Sequence, residues 1–398
     1  MIEILESSPL NVNVFRRRAL IVGLIALAVC GIGALINPGQ FFRSYLLAYV
    51  FWIGISLGCL AILMVQHMSG GVWGLVSRRV LEAAAATFPL LAILFLPVAF
   101  AIRSIFVWAQ PAASLASNEE LAHAVQQKQL YLNVPFFLAR AAFYFAVWIA
   151  LASTLNRWSR RQDRTGDRML TSKLQGLSGP GLLLYGLTVT FSSIDWVMSL
   201  DPRWFSTIYG MLFMGGQGLS AMAFVIAVLA ILSGDKPMSE VVRPAQFHDL
   251  GKLMLAFLML WAYFAFSQYL IIWAGNLPEE IPWYTRRIQS SWKWVGLGLI
   301  VLHFMLPFVL LLSRELKRNR RSLTLLAGIV ILMRFVDLMW MTGPEFHGGS
   351  FGVHWMDIVM PVGIGGIWLA FFATRLAERP LLPIRDPYIE DALTQAAD

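Results

Sequence analysis

Long apolar runs alternate with short polar segments along nearly the whole chain. A helix needs about 20 consecutive, mainly apolar residues to cross the hydrocarbon core of a bilayer. Ten runs meet this requirement, so the pattern predicts an all-α polytopic membrane protein with about ten transmembrane helices. The predicted spans are residues 19–36, 45–66, 79–101, 133–155, 175–197, 206–232, 250–274, 292–313, 322–342 and 355–376.

Little of the chain remains outside these spans. Residues 102–132 form the longest connection and are expected on the outer side, with a short helix from Leu121 to Tyr131 capped by Asn118. Residues 377–398 are predicted to be a cytoplasmic tail. The basic stretch before the first span resembles a signal peptide, but the apolar run continues without a persuasive cleavage site, so this helix is expected to remain.

The composition agrees with this interpretation. Hydrophobic residues make up 58% of the chain and charged residues 14%, and the mean hydropathy is +0.65. Soluble domains contain roughly 45–50% apolar and about 25% charged residues. A single integral membrane domain that occupies the whole chain is therefore expected.

The basic residues give the expected orientation. Of the 31 Lys and Arg, 22 lie in the N-terminal segment, the C-terminal tail and every second loop. Because short cytoplasmic loops are enriched in basic residues, both termini are expected in the cytoplasm. This bias explains the net charge of +8 through contact with membrane lipid, so no nucleic-acid partner is expected. Seven tryptophans near the outer ends predict an interfacial belt: Trp196, Trp204, Trp273, Trp283, Trp292, Trp294 and Trp355.

The chain lacks the motifs of several cofactor sites. Its two cysteines, Cys30 and Cys59, lie inside different predicted helices, and no Cys-x-x-Cys pair is present. Iron–sulfur clusters and covalent haem are therefore not expected here, and no metal site is predicted. No Walker loop is present either. Any redox reaction would have to pass its electrons to another subunit.

Polar side chains inside the predicted helices are the main candidates for function. An ionisable group in a bilayer is costly unless it is paired or faces water. Six such groups fall in the outer half of the membrane and are expected to converge on a pocket that binds a polar head group and takes up its protons: Arg140, Asp195, Gln268, Arg334, Asp337 and Asp357. His303 lies near mid-membrane and is expected to support them. For Arg334 and Asp337, three residues apart, a structural salt bridge is an equal alternative.

A second polar set lies toward the cytoplasm. It comprises His67, Glu82, His248, Asp249 and Lys252. Ordinary interfacial residues are the simpler interpretation. The alternative is the inner end of a proton path that continues through His303 and the hydroxyls of Thr190, Ser192 and Ser193.

Several motifs resemble one family. They are SSIDWVMSLDPRWFSTIYG at 192–210, HDLGK at 248–252, WAYF at 261–264, SQYLIIWAGNLPEEIPWY at 267–284, HF and LPF at 303–308, and YLN with FFLAR at 131–140. Over residues 13–380 the chain is similar to the second of the two large membrane subunits of alternative complex III, a quinol:cytochrome c oxidoreductase. Those subunits belong to the NrfD-like superfamily, which includes the polysulfide-reductase membrane subunit.

The resemblance implies two four-helix bundles with a flanking helix at each end, in a bacterial inner membrane. It also implies a sister NrfD-like subunit and peripheral iron–sulfur and cytochrome c-type subunits that carry the clusters and haem. The chain itself is then expected to contribute proton conduction near the periplasmic side, with quinol binding as an open question.

Two alternatives remain at this point. In the first, the chain serves only as a structural scaffold of such a complex. In the second, it is a secondary transporter. The transporter hypothesis rests on a glycine-rich segment in the sixth span and on prolines in other spans, which would mark broken helices around a substrate site. These residues are Gly215, Gly216, Gly218, Pro89, Pro97, Pro135, Pro307 and Pro361. Glycine is, however, common in membrane helices.

Overall fold

A computed structural model of the protein describes residues 12–115, 118–236, 238–347, 350–383 and 385–387. Residues 388–398, half of the predicted cytoplasmic tail, lie outside this set. Within the described residues, helices are the only regular secondary structure. The predicted all-α class is confirmed.

Ten helices are long and apolar enough to cross a membrane, so the chain is a multi-pass membrane protein. They are α1 (Asn13–Ile36), α2 (Pro38–Ser69), α3 (Val72–Phe100), α4 (Val134–Thr165), α5 (Met169–Leu200), α6 (Tyr209–Leu232), α7 (Pro244–Gly275), α8 (Trp292–Leu312), α9 (Arg320–His347) and α10 (Trp355–Ala377). We call the side where α1 begins and α10 ends the terminal face, and the opposite side the distal face.

Many helices extend beyond the apolar runs that predict them. The clearest case is α4, whose apolar run ends near residue 155 while the helix continues to Thr165. Hydropathy marks only the part of a helix that lies in hydrocarbon, whereas backbone hydrogen bonding continues into the polar interface. The predicted boundaries were therefore too short at such ends.

Short helices fill the connections. On the distal face, Glu119–Gln127 begins with Asn118, whose Oδ1 accepts a hydrogen bond from the Leu121 amide at 3.0 Å. It ends at Gln127, one turn earlier than expected. The other short helices are Ile102–Ile105, Val107–Ala109, Ala112–Leu115, Met238–Val241, Ile281–Ile288 and Arg314–Arg318.

The helices form two rings of four. In the first ring, α2, α3, α4 and α5 each pack on the next, and α5 returns to α2; α6, α7, α8 and α9 repeat this arrangement. The rings meet mainly where α6 packs against α2 and α5. The two remaining helices, α1 and α10, pack against each other beside α2. This is the pair of four-helix bundles with two flanking helices that the resemblance implies.

Glycines allow the closest helix crossings. At the bundle interface, a Cβ on Gly58 of α2 would lie 2.1 Å from the carbonyl oxygen of Gln217 on α6. Where α1 crosses α10, a Cβ on Gly366 would lie 2.5 Å from the Cα of Gly23. Such approaches strengthen packing in a membrane, where the hydrophobic effect does not drive helices together.

Two helices depart from regular α-geometry. In α3, the regular hydrogen bonding is interrupted at residues 86–87 and at Phe95, just before Pro89 and Pro97, because proline lacks an amide donor and crowds the preceding turn. In α8, Leu299–Met305 forms a π-helical segment before Pro307. Segments of this kind often occur at functional sites.

The glycines of α6 do not break it. The helix is continuous over Tyr209–Leu232, and Gly215 and Gly218 lie against Trp261 and Phe257 of α7. The glycine-rich segment cited for the transporter hypothesis is thus accounted for by helix packing.

Gly58→Ala is predicted to destabilise the protein by about 1–3 kcal/mol, because the new methyl group overpacks the α2–α6 crossing. Gly176→Ala on α5 is the control, since nothing lies within 4 Å of its added Cβ; it should be neutral or slightly stabilising through helix propensity. Thermal denaturation in detergent measures both. Equal midpoints for the two variants would contradict this description of the bundle interface.

Candidate functional site

The polar residues expected to share one pocket lie in separate clusters. Arg140 pairs with Asp195 in the first bundle, and Arg334 pairs with Asp337 in the second. Gln268 and Asp357 join neither pair. The single converging pocket expected from the sequence was wrong, because each charge finds its partner within its own bundle.

The first cluster joins α4 to α5. Arg140 Nε and Nη2 each donate to one carboxylate oxygen of Asp195 at 2.9 Å, and the Tyr144 hydroxyl donates to Oδ2 at 2.7 Å. Asp195 is fully buried. A two-point guanidinium–carboxylate contact is strong and orientationally fixed. It therefore holds the distal ends of α4 and α5 together.

Aromatic rings cover the remaining side of Arg140. Its guanidinium carbon lies 3.8 Å from the ring centre of Tyr131 and 4.3 Å from that of Phe136. Its Nη1 also donates to the Tyr131 carbonyl oxygen at 2.9 Å. Cation–π contact and the carbonyl stabilise a charge that has little access to water.

An apolar cavity of about 340 Å³ opens beside this cluster on the distal face. Tyr131, Met198, Trp204 and Phe205 are among its lining residues. Lys128 lies at its edge, where its ammonium donates to the Pro202 carbonyl oxygen at 2.5 Å and burial lowers its pKa. The volume lies within the range of small-molecule sites, which are mostly apolar with a few polar groups.

The second cluster lies about ten residues below the distal end of α9. Arg334 and Asp337 are buried and form a close ion pair. Trp261 Nε1 on α7 donates to the same Asp337 oxygen at 3.0 Å. The predicted pairing of these two charges on one helix face is therefore present.

Gly216 provides the space for Arg334. A Cβ at this position of α6 would lie 2.3 Å from the guanidinium carbon. Phe213, one turn away on α6, contributes a ring 5.6 Å from the same carbon. The glycine-rich segment of α6 therefore admits a charged side chain to the centre of the second bundle.

His303 completes this cluster, and its hydrogen bonding is unusual. Its side chain is fully buried in the π-helical segment of α8, and its ring centre lies 4.3 Å from that of Trp261. Neither ring nitrogen has a hydrogen-bond partner among the described residues. Buried polar groups are nearly always bonded to protein or water. This imidazole is thus set up to exchange a hydrogen bond with water or a ligand.

The other two distal candidates have local structural roles. Gln268 accepts from the Ser206 hydroxyl at 3.2 Å and donates to the Tyr284 hydroxyl at 3.3 Å. Burial raises the pKa of Tyr284 to about 12, so its hydroxyl stays protonated. Asp357 accepts from the Ser44 hydroxyl at 2.6 Å and from the His354 amide at 2.9 Å, which caps the start of α10.

The candidates expected on the cytoplasmic side do not form one path. His248, Asp249 and Lys252 lie at the water-accessible start of α7, where Lys252 donates to Asp249 at 3.1 Å. His67 bonds to the Ser178 hydroxyl at 3.2 Å. Glu82 belongs to a buried arginine cluster.

Nor do the hydroxyls on α5 extend such a path. Thr190, Ser192 and Ser193 each donate to a carbonyl oxygen three or four residues earlier on their own helix. Their hydroxyls therefore serve the local backbone. These contacts give no support to the alternative of a proton path that runs through the three hydroxyls to His303.

The arginine cluster was missed from the sequence. Glu82 accepts from Arg78 at 3.0 Å, from Arg79 at 2.7 Å and from Arg379 at 3.0 Å. Arg78 also pairs with Asp386 at 2.6 Å, and Arg79 pairs with Asp163 at 2.5 Å. The spacing of Arg78, Arg79 and Glu82 on one helix was a usable signal. No spacing in the sequence indicated the distant partners Asp163, Arg379 and Asp386.

A second ionic network on the distal face was also missed. Asp201 accepts from Arg203 at 2.9 Å and from Arg286 at 2.9 Å, and Arg286 and Arg287 both pair with Glu345. Burial by itself would raise the pKa of Asp201, but hydrogen bonds from the two arginines hold it below its usual value. Burial lowers the pKa of Arg287 to about 10. The network ties the α5–α6 and α7–α8 connections to α9.

Tryptophans strengthen this distal network instead of facing lipid. Trp204 and Trp283 stack with ring centres 4.7 Å apart. These two, with Trp196 and Trp292, are at most 3% exposed. Only the other three tryptophans of the predicted belt are exposed: Trp273, Trp294 and Trp355. Two of the resemblance motifs, at 192–210 and 267–284, therefore meet in space.

No protein-family model and no curated protein matches this sequence.

Asp195→Asn is predicted to destabilise the protein by about 3–5 kcal/mol, because it leaves the Arg140 charge buried without a counterion. The double variant Arg140→Met/Asp195→Leu removes both charges and should be more stable than Asp195→Asn. Thermal denaturation in detergent compares them, with Tyr144→Phe as a control that loses one hydrogen bond. A double variant less stable than Asp195→Asn would contradict the claim that the unpaired Arg140 charge is what destabilises Asp195→Asn.

Proposed function

We propose that this chain is an integral membrane subunit of a respiratory quinol:cytochrome c oxidoreductase of the alternative complex III type. Its role in that complex is proton handling, with contact to quinol near the distal face. The motif resemblance supports the assignment, and so does the two-bundle arrangement that the resemblance implies. The lysine and arginine bias supports a bacterial inner-membrane orientation in which the terminal face is cytoplasmic and the distal face periplasmic.

One observation carries the proton-handling role. The fully buried imidazole of His303 lies in a π-helical segment, and neither of its nitrogens has a hydrogen-bond partner in the described part of the chain. It lies beside Trp261, which donates a hydrogen bond to the buried Asp337. A carboxylate and an imidazole are the side chains best suited to accept and release protons near neutral pH. A purely structural histidine would be expected to form hydrogen bonds with other groups of the protein.

The roles of the individual residues follow from their contacts. Arg334 holds the negative charge of Asp337 when that carboxylate is deprotonated. Trp261 donates to the same carboxylate and packs on the imidazole, so it keeps the two proton-carrying groups adjacent. Water admitted to His303 would supply the proton connection between them.

The distal cavity fits the ring of a quinol. Its walls are mainly apolar, and the indole nitrogen of Trp204 has no hydrogen-bond partner among the residues described. Tyr131 joins the cavity to Arg140 and Asp195. Quinol releases two electrons and two protons on oxidation; the cavity would bind its ring, both protons would pass to water at the distal face, and the electrons would pass to partner subunits.

Electrons must leave through other subunits. The chain has two cysteines, both buried in separate helices, and no motif for haem attachment. Iron–sulfur and cytochrome c-type subunits on the distal side, with a sister NrfD-like subunit in the membrane, are the proposed partners.

The scaffold alternative has its own supporting observation. The Arg140–Asp195 pair and the Asp357 cap are fully bonded within the protein and fasten helices together. A scaffold needs no unpartnered buried imidazole, which is why the second cluster distinguishes the two functions.

Asp337→Asn and His303→Phe are predicted to lower quinol-dependent reduction of cytochrome c by roughly tenfold or more per assembled complex, because each removes a proton-accepting group. The purified complex is assayed, and turnover is normalised to its haem content. Asp249→Asn is the control, since Asp249 is half exposed on α7.

The same experiment separates the alternatives. Lower yields with unchanged turnover in both variants would establish the scaffold function. Purification of the chain without haem-containing partners would overturn the respiratory assignment.

A further inference from the structure

A narrow crevice enters the terminal face between α3, α4 and α10. It encloses about 130 Å³, and four of its lining residues are arginines: Arg79, Arg160, Arg375 and Arg379. Among the described residues two carboxylates line it, those of Glu82 and Glu378, and Glu378 pairs with Arg375 at 2.8 Å. The crevice is therefore positively charged at the depth where lipid head groups lie.

Two guanidinium groups in this crevice have unused donors. Arg79 is 3% exposed, and its Nε has no hydrogen-bond partner among the described residues. The Nε of Arg375 is also buried and also has no hydrogen-bond partner among the described residues. A buried N–H without an acceptor is energetically unfavourable. An anionic oxygen acceptor in the crevice would remove this cost.

The arginines are held in place before any ligand arrives. Arg79 donates to Glu82 at 2.7 Å and to the Ser159 hydroxyl at 3.0 Å. Arg379 donates to Glu82 at 3.0 Å and to the Asn156 side-chain oxygen at 2.9 Å. Fixed donors lose little conformational entropy on binding.

The inner part of the crevice is apolar. Ala86, Pro89, Ile149 and Ala152 line it. Pro89 lies seven residues beyond Glu82 along α3, which is about 10 Å at 1.5 Å per residue. Charged groups at the membrane surface with an apolar floor below them match a molecule that has an anionic head and a hydrocarbon body.

We propose that this crevice binds the phosphate of an anionic phospholipid, with the start of an acyl chain against Pro89 and Ile149. Basic pockets between transmembrane helices are known to select such head groups. A free phosphate ion shares the head-group charge but would leave the apolar floor uncovered. The site is independent of the proposed respiratory function.

Native mass spectrometry of the full-length protein in detergent tests the proposal. Phosphatidylglycerol and phosphatidylcholine are titrated separately, and inorganic phosphate is added as competitor. One phosphatidylglycerol should be retained in preference to phosphatidylcholine, and inorganic phosphate should not displace it. Displacement by inorganic phosphate, or equal retention of the two lipids, would overturn the lipid assignment.

Matched variants locate the site. Arg160→Gln/Arg375→Gln should weaken phosphatidylglycerol binding about 30-fold, since each arginine near the surface contributes roughly fivefold. Neither side chain belongs to the Glu82 ion pairs, and the pair that Arg375 forms with Glu378 at 2.8 Å is partly exposed, so its loss should cost little stability. Arg157→Gln/Arg161→Gln is the control, because it removes two exposed charges from the same end of α4 outside the crevice. Equal weakening by both double variants would overturn the proposal in favour of nonspecific surface charge.

Discussion

An ionised side chain in the hydrocarbon core must be paired or reach water, and the polar architecture of this protein follows from that constraint. Arg140 reaches across from α4 to Asp195 on α5, while Arg334 pairs with Asp337 along a single helix. At the terminal face, Glu82 is shared among three arginines. The Arg140–Asp195 pair and the Glu82 cluster also fasten different helices to one another, so these charges contribute to the fold as well as to candidate chemistry. Breaking one partner is expected to cost far more than removing both.

His303 is the exception among the distal candidates, and the proposed proton-handling role rests on it. Every other candidate on the distal side has a protein partner, whereas this imidazole has none among the described residues. Its π-helical setting shifts the backbone locally, and Gly216 leaves room for Arg334 nearby. Stability alone would favour an apolar residue in that position. A proton-exchanging group beside Asp337 provides a reason for its presence.

The sequence predicted what depends on local pattern and missed what depends on tertiary contact. Ten apolar runs located the spans, and the three-residue spacing of Arg334 and Asp337 predicted their pairing. Arg140 and Asp195 are 55 residues apart. Nothing in the sequence indicated that they bind each other instead of lining a shared pocket. Asp357 was taken for a pocket residue because depth alone does not distinguish a helix cap from a ligand site. Arg379 meets Glu82 only because α10 returns beside α3.

The central claim is that Asp337 changes its protonation state during quinol turnover. Infrared difference spectroscopy of the assembled complex, reduced with quinol and compared with the oxidised form, reports this directly through the stretching band of a protonated carboxyl group. The account predicts a carboxyl band that is present in the wild type and absent in Asp337→Asn, with His303→Phe altering its amplitude. Identical difference spectra for the wild type and Asp337→Asn would contradict it.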